Sequence, residues 1–194
     1  MNKKAMGVGQ VFIYIVAAIS FALIMIFGYK AINSFLQSGE QVQLVQFKTD
    51  LESSIKKVYT EYGSVRVEKY RIPGNFEQIC LVNMEYPATP EEIDDLCKEN
   101  VYACKVWEDA VAAQKLSEAD PANYPKDGYD SVDENVFLTP ITEGLTQLKV
   151  YRISIDQDAD EVEEGFLCEP IKKGSFSLVL EGKGDHTQIY QKTN

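Results

Sequence analysis

The chain has 194 residues, with 30 Asp and Glu against 19 Lys and Arg, for a formal net charge of -11. That length leaves room for one domain with a real core beyond a terminal membrane segment, since single domains run to roughly 100–200 residues. The acidic balance, without any run of Lys or Arg, argues against nucleic acid as a partner, because phosphate binding needs a clustered positive field.

The first element is a hydrophobic segment. Between Lys4 and Lys30 no residue is charged, and about 25 residues at roughly 1.5 Å each cover a hydrocarbon core of about 30 Å. Leu23, Ile24, Met25, Ile26 and Phe27 run past any small-residue cleavage site near Ala17 and Ala18, so the length argues against an ordinary cleaved secretory signal. Lys3 and Lys4 outweigh Lys30 across the span, which puts the N-terminus in the cytoplasm and everything after Tyr29 outside. Ala18 and Ala22 form a weak small-xxx-small pair through which two such helices could approach.

Beyond the span, Leu44, Phe47, Leu51, Ile55, Val58 and Tyr62 recur at steps of three and four, the spacing of one apolar helical face. Gly39 is a candidate break between the two halves, and Gly63 stands where a helix end wants glycine. The expected organisation is a short basic cytoplasmic leader over 1–9, a transmembrane helix over 10–32, an amphipathic stalk helix over 33–62 and an extracytoplasmic domain over 63–194.

A hydrophobic half-helix followed by an amphipathic half-helix and a β-rich domain resembles the type IV pilin-like proteins, bacterial and archaeal. The resemblance implies removal of a short leader after a glycine, with Gly7 or Gly9 in "KKAMGVGQVF" as the matching positions, and packing of the exposed helices in a filament. Met6 precedes Gly7 where the family has a basic residue, and Phe12 or Tyr14 stands where bacterial pilins carry a glutamate. A plain single-pass anchor needs only apolarity and is the preferred reading, with membrane lipid as its first partner. A protein partner of unknown identity and self-association through the N-terminal helix complete the expected contacts.

In the domain, "SVRVEKYRI" reads as a strand, with Val65 and Val67 on one phase and Tyr70 and Ile72 on the other, a switch that suggests a bulge. "PGN" at 73–75 is a turn signal, and "FEQICLVNM" reads as the return strand of a hairpin, its "ICLV" run implying burial on both faces. Thr89, Pro90 and Glu92 spell a helix start with a capping box, followed by a short helix to about Lys98 with Ile93, Leu96 and Cys97 inward. "VYACKVWEDAVAAQKL" is ambiguous between strand and helix, and 117–135 reads as a long polar loop. "NVFLTPI", "QLKVYRISI" and "FLCEPI" are strand candidates, and "SFSLVLEGKGDHTQIYQ" is a hairpin turning at 182–185. The fold class is therefore α+β: a long N-terminal helix on a mostly antiparallel sheet, with a small helical insertion.

The four cysteines, Cys80, Cys97, Cys104 and Cys168, are even in number beyond a hydrophobic N-terminus, which fits an oxidising compartment. Cys80 with Cys168 and Cys97 with Cys104 is the favoured pairing, although spacing alone leaves two others open. Zinc is disfavoured, since no two cysteines have the two-residue spacing of a zinc knuckle. Asp156, Asp158 and Asp160 imitate the first half of a calcium loop, but Glu161 replaces its glycine and Leu167 its bidentate glutamate, so a solvated acidic turn is the plainer reading. A second acidic patch, Asp127, Asp130, Asp133 and Glu134, would have to converge on the first to make a metal-dependent surface enzyme. His186, the sole histidine, lies in a candidate turn without a nucleophile motif. The expected function is binding or structural, without catalysis and with no cofactor beyond the candidate calcium.

Overall fold

The computed structural model describes residues 6–72, 76–140, 148–157 and 162–191, with backbone alone for 6–11 and 33–41. The fold is α+β. Helix α1 (Met6–Tyr59) runs unbroken through Gly39. Two compact units meet between Val42 and Gln43, so the amphipathic half of α1 falls in the same unit as the sheets.

Within the first unit, Phe12–Ile32 is long and apolar enough to cross a membrane, and none of it is buried. Within the second, Leu44, Phe47, Leu51, Ile55 and Val58 are all buried, as their spacing implies. Tyr62 is not on that stripe and is 83% exposed. The helix stops three residues before it, and the chain turns through Gly63 at φ 74°, where glycine is free of the Cβ clash that left-handed backbone imposes.

Strand β1 (Val65–Arg71) does not pair with the next strand. Its partner is β6 (Ser175–Gly182), in unbroken antiparallel register from Val65–Glu181 to Arg71–Ser175. No bulge interrupts it, because Val65 and Val67 are simply on the exposed face while Tyr70 is buried on the other. The expected hairpin is thereby corrected, and its "PGN" turn lies outside the described residues. Strand β2 (Gln78–Val82) is instead the centre of a second sheet of order β3-β2-β5, between β3 (Val136–Thr139) and β5 (Phe166–Pro170). The difference is physical. The "ICLV" run sends Ile79 and Leu81 into one core and Cys80 and Val82 into another, so only a central strand with both faces covered can hold it. β1, with Arg66, Glu68, Lys69 and Arg71, suits an edge.

The first sheet has the order β1-β6-β7-β4, with β7 (Thr187–Gln191) antiparallel to β6 and parallel to β4 (Ile153–Ile155). The α1 stripe shares a core with Leu178, Leu180, Ile189, Ile79 and Leu81. On the far side of β2, helices α2 (Pro90–Glu99) and α3 (Val101–Ala119) form the second core around Trp107. Thr89 and Glu92 cap α2 reciprocally, and Asn100 ends α2 while its Oδ1 accepts from Ala103 N at 2.9 Å to start α3. The ambiguous segment is helix throughout, because Ala103, Cys104, Trp107, Ala110 and Val111 bury one face at helical spacing. The expected polar loop is also partly helical: α3 reaches Ala119, and Gly128–Ser131 forms a helical turn, α4.

Candidate functional site

The cysteines set the frame. Cys80 and Cys168 stand directly opposite each other in the β2–β5 register and are disulfide-bonded, and Cys97 and Cys104 bond α2 to α3. Both bonds are structural, since one lies within a sheet and the other staples two consecutive helices.

Among the described residues, the two acidic patches take different partners. Asp156 is buried at 1% exposure and accepts from Gln188 Nε2 at 3.3 Å, while Asp158 and Asp160 lie outside the described residues. Among the described residues, no group of three His, Cys, Asp or Glu is arranged to hold a metal ion. The second patch splits in two. Asp127 and Asp130 face Arg152 Nη2 at 2.9 and 3.5 Å, and Glu85 takes Nη1. Glu134 turns inward, where Tyr102 donates to its Oε1. Burial holds the Glu134 carboxyl above its ordinary range, with that hydrogen bond pulling the other way. The same bond, followed by burial, pushes the Tyr102 phenol up to about 12.

Arg152 is the organising residue that the sequence reading missed. It ties β4's approach to the loop after β2 and to α4, and its guanidinium stands 4.8 Å from the centre of the Tyr129 ring. Lys149 stands 4.1 Å from that ring centre while donating to the carbonyls of Tyr129 and Val132. An arginine inside the strand-like run "VYRISI" was the signal, because a cation there must find anions. Beside it a cleft of about 330 Å³ is lined by Asn83, Glu85, Arg152, Glu163 and His186. His186 Nδ1 lies 2.7 Å from Asp185 Oδ1 in the hairpin turn. That bond holds the Asp185 carboxyl below its ordinary range.

A groove of about 810 Å³ lies between the amphipathic half of α1 and the edge strand β1. Phe47, Tyr70 and Ile72 make it apolar, and Asp50, Glu68, Lys69, Arg71 and Lys173 make it charged. Its aromatics are fixed in place: Tyr70 stacks on Phe176 at 5.3 Å, and Phe47 meets both edge-on at 6.3 and 6.0 Å. Burial pushes the Tyr70 phenol up to about 12, with the Ser54 hydroxyl acting against it. The groove thus has an apolar floor with charges of both signs around it. Gly7 and Gly9, the candidate processing positions, both lie in the first turns of α1.

Comparison with known proteins assigns no family. The chain matches no family model, no curated protein and no solved structure.

Proposed function

We propose that this chain is a single-pass membrane protein, N-terminus in the cytoplasm, that holds a disulfide-bonded α+β domain outside the membrane and acts by binding rather than catalysis. One observation carries the reading: Phe12–Ile32 is a 21-residue apolar stretch of helix, none of it buried among the described residues. At 1.5 Å per residue it spans about 30 Å, the thickness of a hydrocarbon core. Two disulfides support an oxidising side for the domain, and the groove along β1 is the surface best suited to a partner. The test is protease added to intact cells and then to lysed ones. The reading expects the domain to be digested from outside, and a domain protected until lysis overturns it.

A second reading is favoured by the continuity of α1 past Gly39. One unbroken helix carrying an exposed apolar half and a buried amphipathic half is what a pilin-like subunit would use, its apolar half packing with copies of itself. N-terminal sequencing of the native protein separates the two. A chain beginning at Val8 or Gln10 supports processing and assembly, and one beginning at Met1 or Asn2 supports the plain anchor.

A further inference from the structure

We propose that β1 is a self-recognition edge: two copies of the domain join β1 to β1 in antiparallel register about a two-fold axis at Val67, extending each four-stranded sheet into one of eight strands. The inference does not depend on whether the N-terminal helix spans a membrane, because every residue it uses lies in the second compact unit.

The backbone defines what the edge offers. β1 is terminal in its sheet, and its ladder to β6 is bracketed by Gly182 N to Ser64 O and Ile72 N to Gly174 O, each 3.0 Å. Hydrogen-bonded positions alternate in an antiparallel pair, so even-numbered residues bond β6. The N–H and C=O groups of Val65, Val67, Lys69 and Arg71 therefore point away from the sheet, available to another strand. The groove beside them keeps a strip along this edge open.

Side chains then select the occupant and its register. Symmetric pairing requires outward-facing residues to oppose outward-facing ones, so the two-fold axis falls at a residue. Centring on Arg66, Glu68 or Lys69 sets like charges directly opposite each other, which is destabilising. Centring on Val67 sets Arg66 opposite Glu68 of the second copy, twice, and Val65 opposite Lys69, with no like-charged pair. Arg66 bonds Glu61 at 2.6 Å, and its five N–H donors leave capacity for a second carboxylate. On the outer face, Val179 is already the register partner of Val67. Valines from four adjacent strands would then form one row, covering Val65 and Val67, now 61% and 58% exposed. The seam gains about six backbone hydrogen bonds from the pairs at 65, 67 and 69.

The experiment uses the full chain in detergent. In Val67→Cys, the two new thiols would face each other at a hydrogen-bonded pair, about 5.5 Å between Cα atoms, within disulfide reach. Mild oxidation is expected to give a reducible covalent dimer, and Val65→Cys alone is expected not to. Val67→Pro removes an N–H that β6 does not use, which an edge strand tolerates. It is expected to keep the circular dichroism of the wild type and weaken self-association at least tenfold. Arg66→Glu is expected to weaken it similarly, with recovery in Arg66→Glu/Glu68→Arg, which keeps the test open if the proline variant fails to fold. A monomer at every concentration overturns the proposal. So does a dimer that survives Val67→Pro without the Val67→Cys crosslink, which is the signature of association through the N-terminal helix. Binding of an extended peptide from another protein along β1, without self-association, overturns it as well.

Discussion

Replacing Ile55 with alanine tests whether the amphipathic half of α1 is part of the domain's core. Ile55 is fully buried, and its carbonyl accepts from Thr187 Oγ1 at 2.9 Å across 132 residues of sequence. That bond, with Gly184 N on Tyr59 O at 3.1 Å, holds the helix against the turn and prevents it from settling into the cavity. Truncations of buried isoleucine cost about 2–5 kcal/mol, the upper end where the site cannot collapse, so a loss of about 3–4 kcal/mol is expected. For a unit of about 150 residues that lowers the midpoint temperature by roughly 6–15 °C. Val45→Ala, on the exposed face of the same helix, should stay within about 0.5 kcal/mol. Urea unfolding followed by Trp107 fluorescence is informative because this sole tryptophan sits in the other core. A shift seen equally by Trp107 and by circular dichroism means both cores unfold together. A loss below about 1 kcal/mol for Ile55→Ala would refute the packing argument.

Gly182→Ala should be costly for a different reason, since a Cβ there meets Val58 O at 2.2 Å and Glu61 O at 2.5 Å; forced overpacking predicts about 1–3 kcal/mol or more in the same assay. Breaking Cys80–Cys168, 88 residues apart, should cost about 4–5 kcal/mol in the loop-entropy account, against about 2 for Cys97–Cys104, seven apart; equal losses in denaturation of the two double-alanine variants would contradict it. Because Glu134 is held above its ordinary range, the folded state binds its proton more tightly than the unfolded state, so its contribution to stability is present at acid pH and lost as pH rises through that window. Glu134→Gln should therefore gain on the wild type in midpoint temperature as pH rises from acid toward neutral, and a constant difference would contradict the assignment. Arg152→Met leaves Glu85, Asp127 and Asp130 without their shared cation; a loss of about 1–3 kcal/mol is expected in urea unfolding, and an unchanged midpoint would contradict the hub.

Features coded by near neighbours were legible in the sequence. Thr89 to Glu92 spelled the start of α2, and "ICLV" a strand buried on both faces, while Gly63 marked the turn after α1 but not its end at Tyr59. The β1–β2 hairpin failed because strand pairing is decided by where burial is available, and a central position for β2 required partners 55 or more residues downstream. "QLKVYRISI" shortened to Ile153–Ile155 for a reason no pattern carries. The Asn135 side chain takes Val150's backbone, Oδ1 from its N–H at 2.8 Å and Nδ2 to its carbonyl at 3.3 Å, standing in for a neighbouring strand. Of the candidate surfaces, the acidic patches were visible and the Arg152 hub was not, because local charge density does not reveal a cation that arrives from another element. The groove along β1 was hidden for the same reason, being made by two elements that meet only in space.

The strand order has a consequence for the making of this protein. β6 and β7, the inner strands of the four-stranded sheet, come after the other described strands in the chain, and β1 waits for β6 across more than a hundred residues. At roughly 5–20 residues per second that interval is on the order of ten seconds. Throughout it, β1 lacks the strand that pairs with it. A chain cut before Ser175 would lack the middle of the sheet rather than a dispensable edge.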